Sequence, residues 1–157
     1  VRRGKGNGKQ VKTGHTPNKN GKNVPVSAAT PPATNDMIFA YRANFIDAEY
    51  EGLWDWHLTA EESRSLLQFL CAMHGKTWGT IKTETAGPKG AARSHWQDVS
   101  DLVKDAQNRL AEIGHGDLTQ IYRFRLSRKE RLWGTLNNGV FEMIWWDRKH
   151  AVLEGDK

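Results

Sequence analysis

The chain has 157 residues, which suits one ordinary domain and falls short of two. It carries 23 Lys and Arg against 18 Asp and Glu, a formal charge of +5, with a single cysteine. No run approaches the ~18 consecutive apolar residues of a membrane-spanning helix, and one cysteine excludes an intrachain disulfide. With no apolar signal-peptide core and no disulfide framework, the protein is expected in the cytoplasm.

Residues 1–36 hold seven Lys or Arg and one acid, Asp36, with only scattered Val as apolar content. Such a segment cannot bury enough surface to offset its ordering entropy, and it is predicted to be a disordered basic tail. A tail of this kind either contacts phosphates nonspecifically or simply solubilises the chain. All the Trp, Phe and Tyr residues lie beyond it, so 37–157 is predicted to be a single α+β domain.

Within the domain, 37–46 is apolar, aromatic and β-branched, and reads as a first strand. Residues 47–58 form an acidic loop whose Trp54 and Trp56 dock on the body. Thr59 and Glu62 have the spacing of a capping box, Leu66, Leu67, Leu70 and Met73 recur at helical spacing, and Gly75 ends the run. Cys71, within that apolar run, is expected to be buried and inert. Residues 77–81 suggest a further short helical turn. The segment 82–94 reads as a mobile basic loop. Its Gly87-Pro88-Lys89-Gly90 lacks the Gly-Lys-Ser/Thr ending of a phosphate loop and follows no strand, which excludes that nucleotide-binding motif.

A second helix is predicted over 97–113 from the stripe Val99, Leu102, Val103, Ala106, Leu110 and Ile113, ended by Gly114 and Gly116. Three strands follow, at 120–126, 131–136 and 140–146. The first pair is joined by Ser127-Arg128-Lys129-Glu130. The second is joined by Asn137-Asn138-Gly139, whose Asn-Gly is a strong hairpin signal. A short extended piece, 151–153, offers a further edge. The order is strand, two helices, then a three-stranded antiparallel meander.

Charge concentrates in that meander. Residues 37–117 hold eight bases and twelve acids, whereas 118–150 hold seven bases and three acids. A cationic face on an acidic body suits a polyanion or an acidic protein partner. By strand alternation Arg123 and Arg125 share a face with Ile121, while Tyr122, Phe124 and Leu126 take the core face. Arg131, Trp133 and Thr135 share a face of the next strand. Pairing can bring Arg123, Arg125 and Arg131 together, and three planar guanidiniums suit a phosphate backbone. Beside them Trp133 either stacks a base or belongs to the core, with the arginines paired to acids on the helices. His150 is suited to proton transfer near neutral pH, with Asp147 orienting it or starting a turn. His95, His57 and His74 are weaker candidates, and His115 between two glycines reads as a solvated turn. No His, Cys and acid spacing suggests a zinc site, and no metal or cofactor is expected.

Two resemblances follow from these residues. The stretches Phe124-Arg125-Leu126-Ser127, Arg131-Leu132-Trp133-Gly134, Val140-Phe141 and Trp145-Trp146-Asp147 with His150 resemble the C-terminal block of a group of uncharacterised bacterial proteins. In those the pattern reads Arg-Leu-Ser-Gly, Arg-Leu-Trp-Gly and Trp-Trp-Asp-Pro-x-His, so Arg128 and Arg148 stand here in place of Gly and Pro. The element order and the arginine-bearing meander also resemble the RelE/ParE-type toxins, a small sheet with a helical hairpin. That resemblance implies a toxin-like endoribonuclease acting on mRNA at the ribosome, within a toxin-antitoxin system and partnered by an acidic antitoxin protein. It implies a functional role for Arg123, Arg125, Arg131 and His150. Arg125, Arg131 and His150 are the candidate catalytic residues, and Arg123, Arg128, Lys129, Trp133, Arg148 and Lys149 the candidate nucleic-acid contacts. The other branch of that family inhibits gyrase. A non-catalytic module binding nucleic acid or protein is the remaining alternative.

Overall fold

A computed structural model describes residues 34–153. The elements are β1 (Ala40–Arg42), α1 (Ala60–Met73), α2 (Trp78–Thr83), β2 (Thr85–Ala86), β3 (Ala91–Ala92), β4 (Ser94–Asp98), α3 (Lys104–Glu112), β5 (Gln120–Arg125), β6 (Arg131–Asn137) and β7 (Val140–Asp147). Five strands form one sheet in the order β1-β7-β6-β5-β4. All neighbours are antiparallel except β1, which runs parallel to β7. β2 and β3 make a separate two-stranded hairpin. The class is α+β, with three α-helices among the described residues. None of them is long and apolar enough to cross a membrane.

Local signals account for several boundaries. Thr59 accepts from the Glu62 backbone while the Glu62 side chain accepts from that of Thr59, so the capping box is complete. Gly75 leaves α1 at φ +76°. The β6–β7 turn places Asn138 and Gly139 at φ +49° and +78°, the left-handed pair that matches the twist of a two-residue hairpin.

Alternation along the sheet builds two cores. On one face Tyr122, Phe124, Leu132, Phe141, Met143 and Trp146 meet Phe69 and Met73 of α1 and Trp78 and Ile81 of α2. On the other, Ile121, Trp133, Ile144 and Trp145 meet Leu102, Ala106 and Leu110, with Trp54 and Val152 closing the edges. α1 and α3 therefore cover opposite faces and do not make a hairpin of helices. Along β6 and β7, Trp133 pairs with Trp145 but Gly134 pairs with Met143, leaving Ile144 as a bulge. The bulge lets two consecutive residues, Ile144 and Trp145, enter the same core. The Ile144 carbonyl then accepts from the Trp56 indole at 2.7 Å and the Asp47 amide at 3.0 Å.

The structure departs from the sequence reading in definite places. The helix expected over 97–113 starts only at Lys104, because Ser94–Asp98 satisfies its backbone by pairing with β5. The apolar stripe is used as expected, since Val99, Val103 and Ile113 pack against the same core as Leu102, Ala106 and Leu110. The first strand is reduced to Ala40–Arg42, and Ile38 makes only an isolated bridge to Thr77. The segment 82–94 is not a plain loop, because it contains the β2–β3 hairpin and the start of β4. Cys71 is exposed, lying on the outer side of α1. Of the predicted tail, Thr34–Asp36 is a 3-10 turn whose Asn35 side chain accepts from Lys82 at 2.9 Å. Residues 1–33 of that tail lie outside the described residues.

Three carboxylates anchor the loop that carries Trp54. Asp47 takes two hydrogen bonds from Arg109, at 2.8 and 2.6 Å, and one from the Trp145 indole at 3.0 Å. Arg148 donates to Asp55 at 2.9 Å and Glu62 at 2.8 Å, and to the carbonyls of Gly52, Asp55 and His57. Burial pushes all three carboxyls up, but hydrogen bonds and the arginine charges outweigh it, so each is held below its ordinary value.

Two predictions follow from this packing. A Cβ on Gly134 would lie 2.2 Å from the Glu142 carbonyl oxygen and 2.8 Å from the Phe141 ring. Gly134→Ala should therefore destabilise the fold by about 1–3 kcal/mol, read as a lowered urea midpoint. Depressed carboxyl values mean that the unfolded chain binds more protons in acid. The stability they contribute is present above about pH 4 and is lost as pH falls through their folded-state values. The Asp47→Asn protein should be less stable at pH 7 and lose less on acidification, in urea titrations from neutral to acid pH.

Candidate functional site

The face of the sheet covered by α3 is not covered to its end. Register sets two cross-strand rows there. One runs His95, Arg123, Trp133, Trp145, and the other runs Arg125, Arg131, Asp147. The second row is extended by Arg93, whose carbonyl accepts from the Arg125 amide at 2.7 Å. Beside these rows opens a cavity of about 450 Å³ lined by Ala91, Ala92, Arg93, His95, Arg123, Arg125, Arg131 and His150. Among the described residues no carboxylate lines it.

Arg123 organises the cavity. Its Nε donates to His95 Nε2 at 2.9 Å, and its Nη1 is 2.6 Å from His150 Nε2. A guanidinium has no acceptor, so His95 must offer an unprotonated Nε2 to Arg123. The Arg123 guanidinium also sits 5.6 Å from the centroid of the Trp133 ring, a cation–π contact. Burial holds His95 below the ordinary histidine value, and the positive charge of Arg123 adds to this, with a smaller contribution from Arg131. A hydrogen bond with Gln97 acts in the opposite direction.

His150 is carried by a short loop after β7. Asp147 is fully buried and accepts from the Trp133 indole at 3.3 Å and from the amides of Lys149, Ala151 and Val152 at 3.3, 2.8 and 3.1 Å. These bonds hold the loop in a tight turn, and His150 adopts φ +59°. Asp147 thus positions His150 through the backbone. Arg131, only 5% exposed, donates from Nη1 to the carbonyls of Ser127 and Glu130, both at 3.0 Å, stiffening the β5–β6 turn while lining the cavity. Arg125 is half-buried, and its Nε donates to the Ser127 carbonyl at 3.3 Å.

The structure thus brings together Arg123, Arg125, Arg131 and His150 from the sequence reading. Trp133 is a correction, because it is fully buried beneath Arg123 and presents no face to a base. Arg148 is a second correction, because its guanidinium is bound to Glu62, Asp55 and three loop carbonyls and does not line the cavity. Arg128 and Lys129 are exposed on the β5–β6 turn, and Lys149 is exposed beside His150. Two lining residues were missed or underweighted. Arg93 was placed in a loop, and His95 was ranked below His150. The available signal was alternation, since a strand over 94–98 with Ser94 facing the core turns Arg93 and His95 to the opposite side. Ser94 indeed accepts from the buried Tyr122 hydroxyl at 2.9 Å. His57, His74 and His115 lie outside the cavity. Among the described residues no group of three or more His, Cys, Asp or Glu is arranged to hold a metal ion.

Comparison with protein-family models, with curated proteins and with solved structures found no match to this chain.

If the cavity receives a phosphate, the bound charge should reverse the effect of Arg123 on its neighbours. In proton–nitrogen NMR titrations, His95 should titrate below the ordinary histidine range in the free protein and move upward on adding pyrophosphate. An unperturbed His95, or one indifferent to the anion, would contradict this description of the site.

Proposed function

We propose that this domain is a toxin-like endoribonuclease that cuts mRNA at the ribosome without needing a metal. The observation that carries the reading is the convergence of four arginines and two histidines on one cavity, with no carboxylate among its described lining residues. Such a lining suits a phosphodiester, whose transition state gathers negative charge on the phosphoryl oxygens and needs one proton removed and one supplied.

Roles follow from the electrostatics. His95, kept neutral by burial and nearby cations, gives up its hydrogen bond from Arg123 Nε and accepts the proton of a ribose 2′-hydroxyl on Nε2 as that oxygen attacks the adjacent phosphorus. His150, in its protonated form, gives a proton to the departing 5′-oxygen as the P–O5′ bond breaks. The products are a 2′,3′-cyclic phosphate and a free 5′-hydroxyl. Arg125 and Arg131 bond the phosphoryl oxygens where charge develops, and Arg123 aligns both imidazoles before the phosphate binds. Trp133 is a positioning residue that supports Arg123 from below.

The order of a strand, then helices, then an arginine-bearing antiparallel meander supports the RelE/ParE likeness. The opposed helices, β4 and the β2–β3 hairpin depart from a simple sheet with a helical hairpin. An acidic antitoxin that covers the cavity is the natural partner of such a surface, and the cytoplasm is its expected place of action.

In a translating extract the full chain should cut mRNA and halt synthesis. His95→Ala and His150→Ala should each slow cleavage by about 10²- to 10⁴-fold with an unchanged melting temperature. Intact mRNA in the presence of folded protein would overturn the reading. RNA bound without cleavage would then favour a non-catalytic binding module, and DNA-damage signalling would favour gyrase inhibition.

A further inference from the structure

A second cavity, of about 410 Å³, adjoins the first, and Arg93 and Arg125 line both. Its remaining walls come from Ala86, Gly87 and Pro88 of the β2–β3 hairpin and from Leu126, Ser127 and Arg128 of the β5–β6 turn. We propose that the two cavities form one track for consecutive phosphates of a single-stranded RNA. The scissile phosphate sits in the first, and its neighbour sits in the second between Arg125 and Arg128. This rests on the ribonuclease reading of the first cavity.

Three observations carry the proposal. The first is charge. Among the described residues no carboxylate lines either cavity, and none of Arg93, Arg125 and Arg128 is in a salt bridge. A row formed by these guanidiniums is complementary to a polyanion longer than one phosphate. The second is spacing. Arg123 and Arg125 are alternate residues on one face of β5, about 6.6 Å apart along the strand. Arg125 lines both cavities, so a scissile phosphate bonded by Arg125 and Arg131 beside Arg123 has its neighbour on the far side of Arg125, and Arg128 continues the line past the end of the strand. The third is what the lining lacks. Apart from the two imidazoles, no aromatic ring faces either cavity, so there is no platform on which successive bases could stack. Recognition through phosphates alone fixes the register of a strand without selecting its bases.

The test measures binding of the full chain to uridine 3′-monophosphate and to uncleavable 2′-O-methyl oligouridylates with two phosphates, across a salt series. The second phosphate should tighten binding about tenfold at low salt and steepen the fall of log K with log salt by about 0.7. Arg128→Ala should remove most of that gain, weakening the two-phosphate ligand about tenfold while changing the mononucleotide less than twofold. An oligoadenylate of equal length should bind within a few-fold of the oligouridylate. No gain from the second phosphate, an equal loss for both ligands in Arg128→Ala, or no binding of the oligonucleotide overturns the track. Cleavage of an all-ribose oligonucleotide is scored in parallel. Cleavage without the second-phosphate gain overturns the track alone, whereas the gain without cleavage keeps the track and overturns the ribonuclease reading.

Discussion

The arrangement depends on one buried carboxylate. Asp147 has no exposure to solvent and gathers four donors, the indole of Trp133 and the amides of Lys149, Ala151 and Val152. A buried carboxylate is tolerable only with such a complement of partners. The partners belong to three parts of the architecture. Trp133 is the floor under Arg123. Lys149 and Ala151 flank His150 and define its loop. Val152 returns the chain to the second core, and the next residue, Leu153, bridges to Leu102 ahead of α3. Removing the carboxylate would leave the loop, the indole and the edge of the second core without a common anchor.

The cavity exists because α3 is short. Its nine residues pack over Ile121, Trp133, Ile144 and Trp145, whereas Arg123, at the β5 position of the Trp133 row, and the row of Arg125 and Arg131 line the cavity. A single sheet face is thereby divided into an apolar region under the helix and a cationic region beyond it. Trp133 lies on the boundary, with its ring buried among apolar side chains and one face against a guanidinium. Asp47 is bound to Arg109, and Asp55 and Glu62 are bound to Arg148.

The parts of this fold that were legible in the sequence are those with local causes. The capping box at Thr59, the Asn138-Gly139 hairpin and the period-two pattern of β5 through β7 each follow from a few neighbouring residues. The clustering of Arg123, Arg125 and Arg131 followed from that same period once pairing was assumed. β4 was hidden because it is short, lies at a sheet edge and runs into the apolar stripe of α3, so one helical period seemed to cover both. With β4 unseen, Arg93 and His95 had no face. The burial of Trp133 depends on where α3 ends. The engagement of Arg148 depends on Glu62, 86 residues earlier in the chain, and neither relation has a local signature.

The parallel pairing of β1 with β7 matches Ala40 with Val140, across a hundred residues of intervening chain. A strand of three residues has little tendency to persist before its partner exists. During synthesis β1 must therefore wait for almost the whole described chain to emerge. The segment that carries His150 comes later still. Long-range closure of this kind makes folding slow relative to a helical chain of the same length. A polypeptide made only as far as β5 has the arginines of that strand but not the β6 and β7 rows that align them.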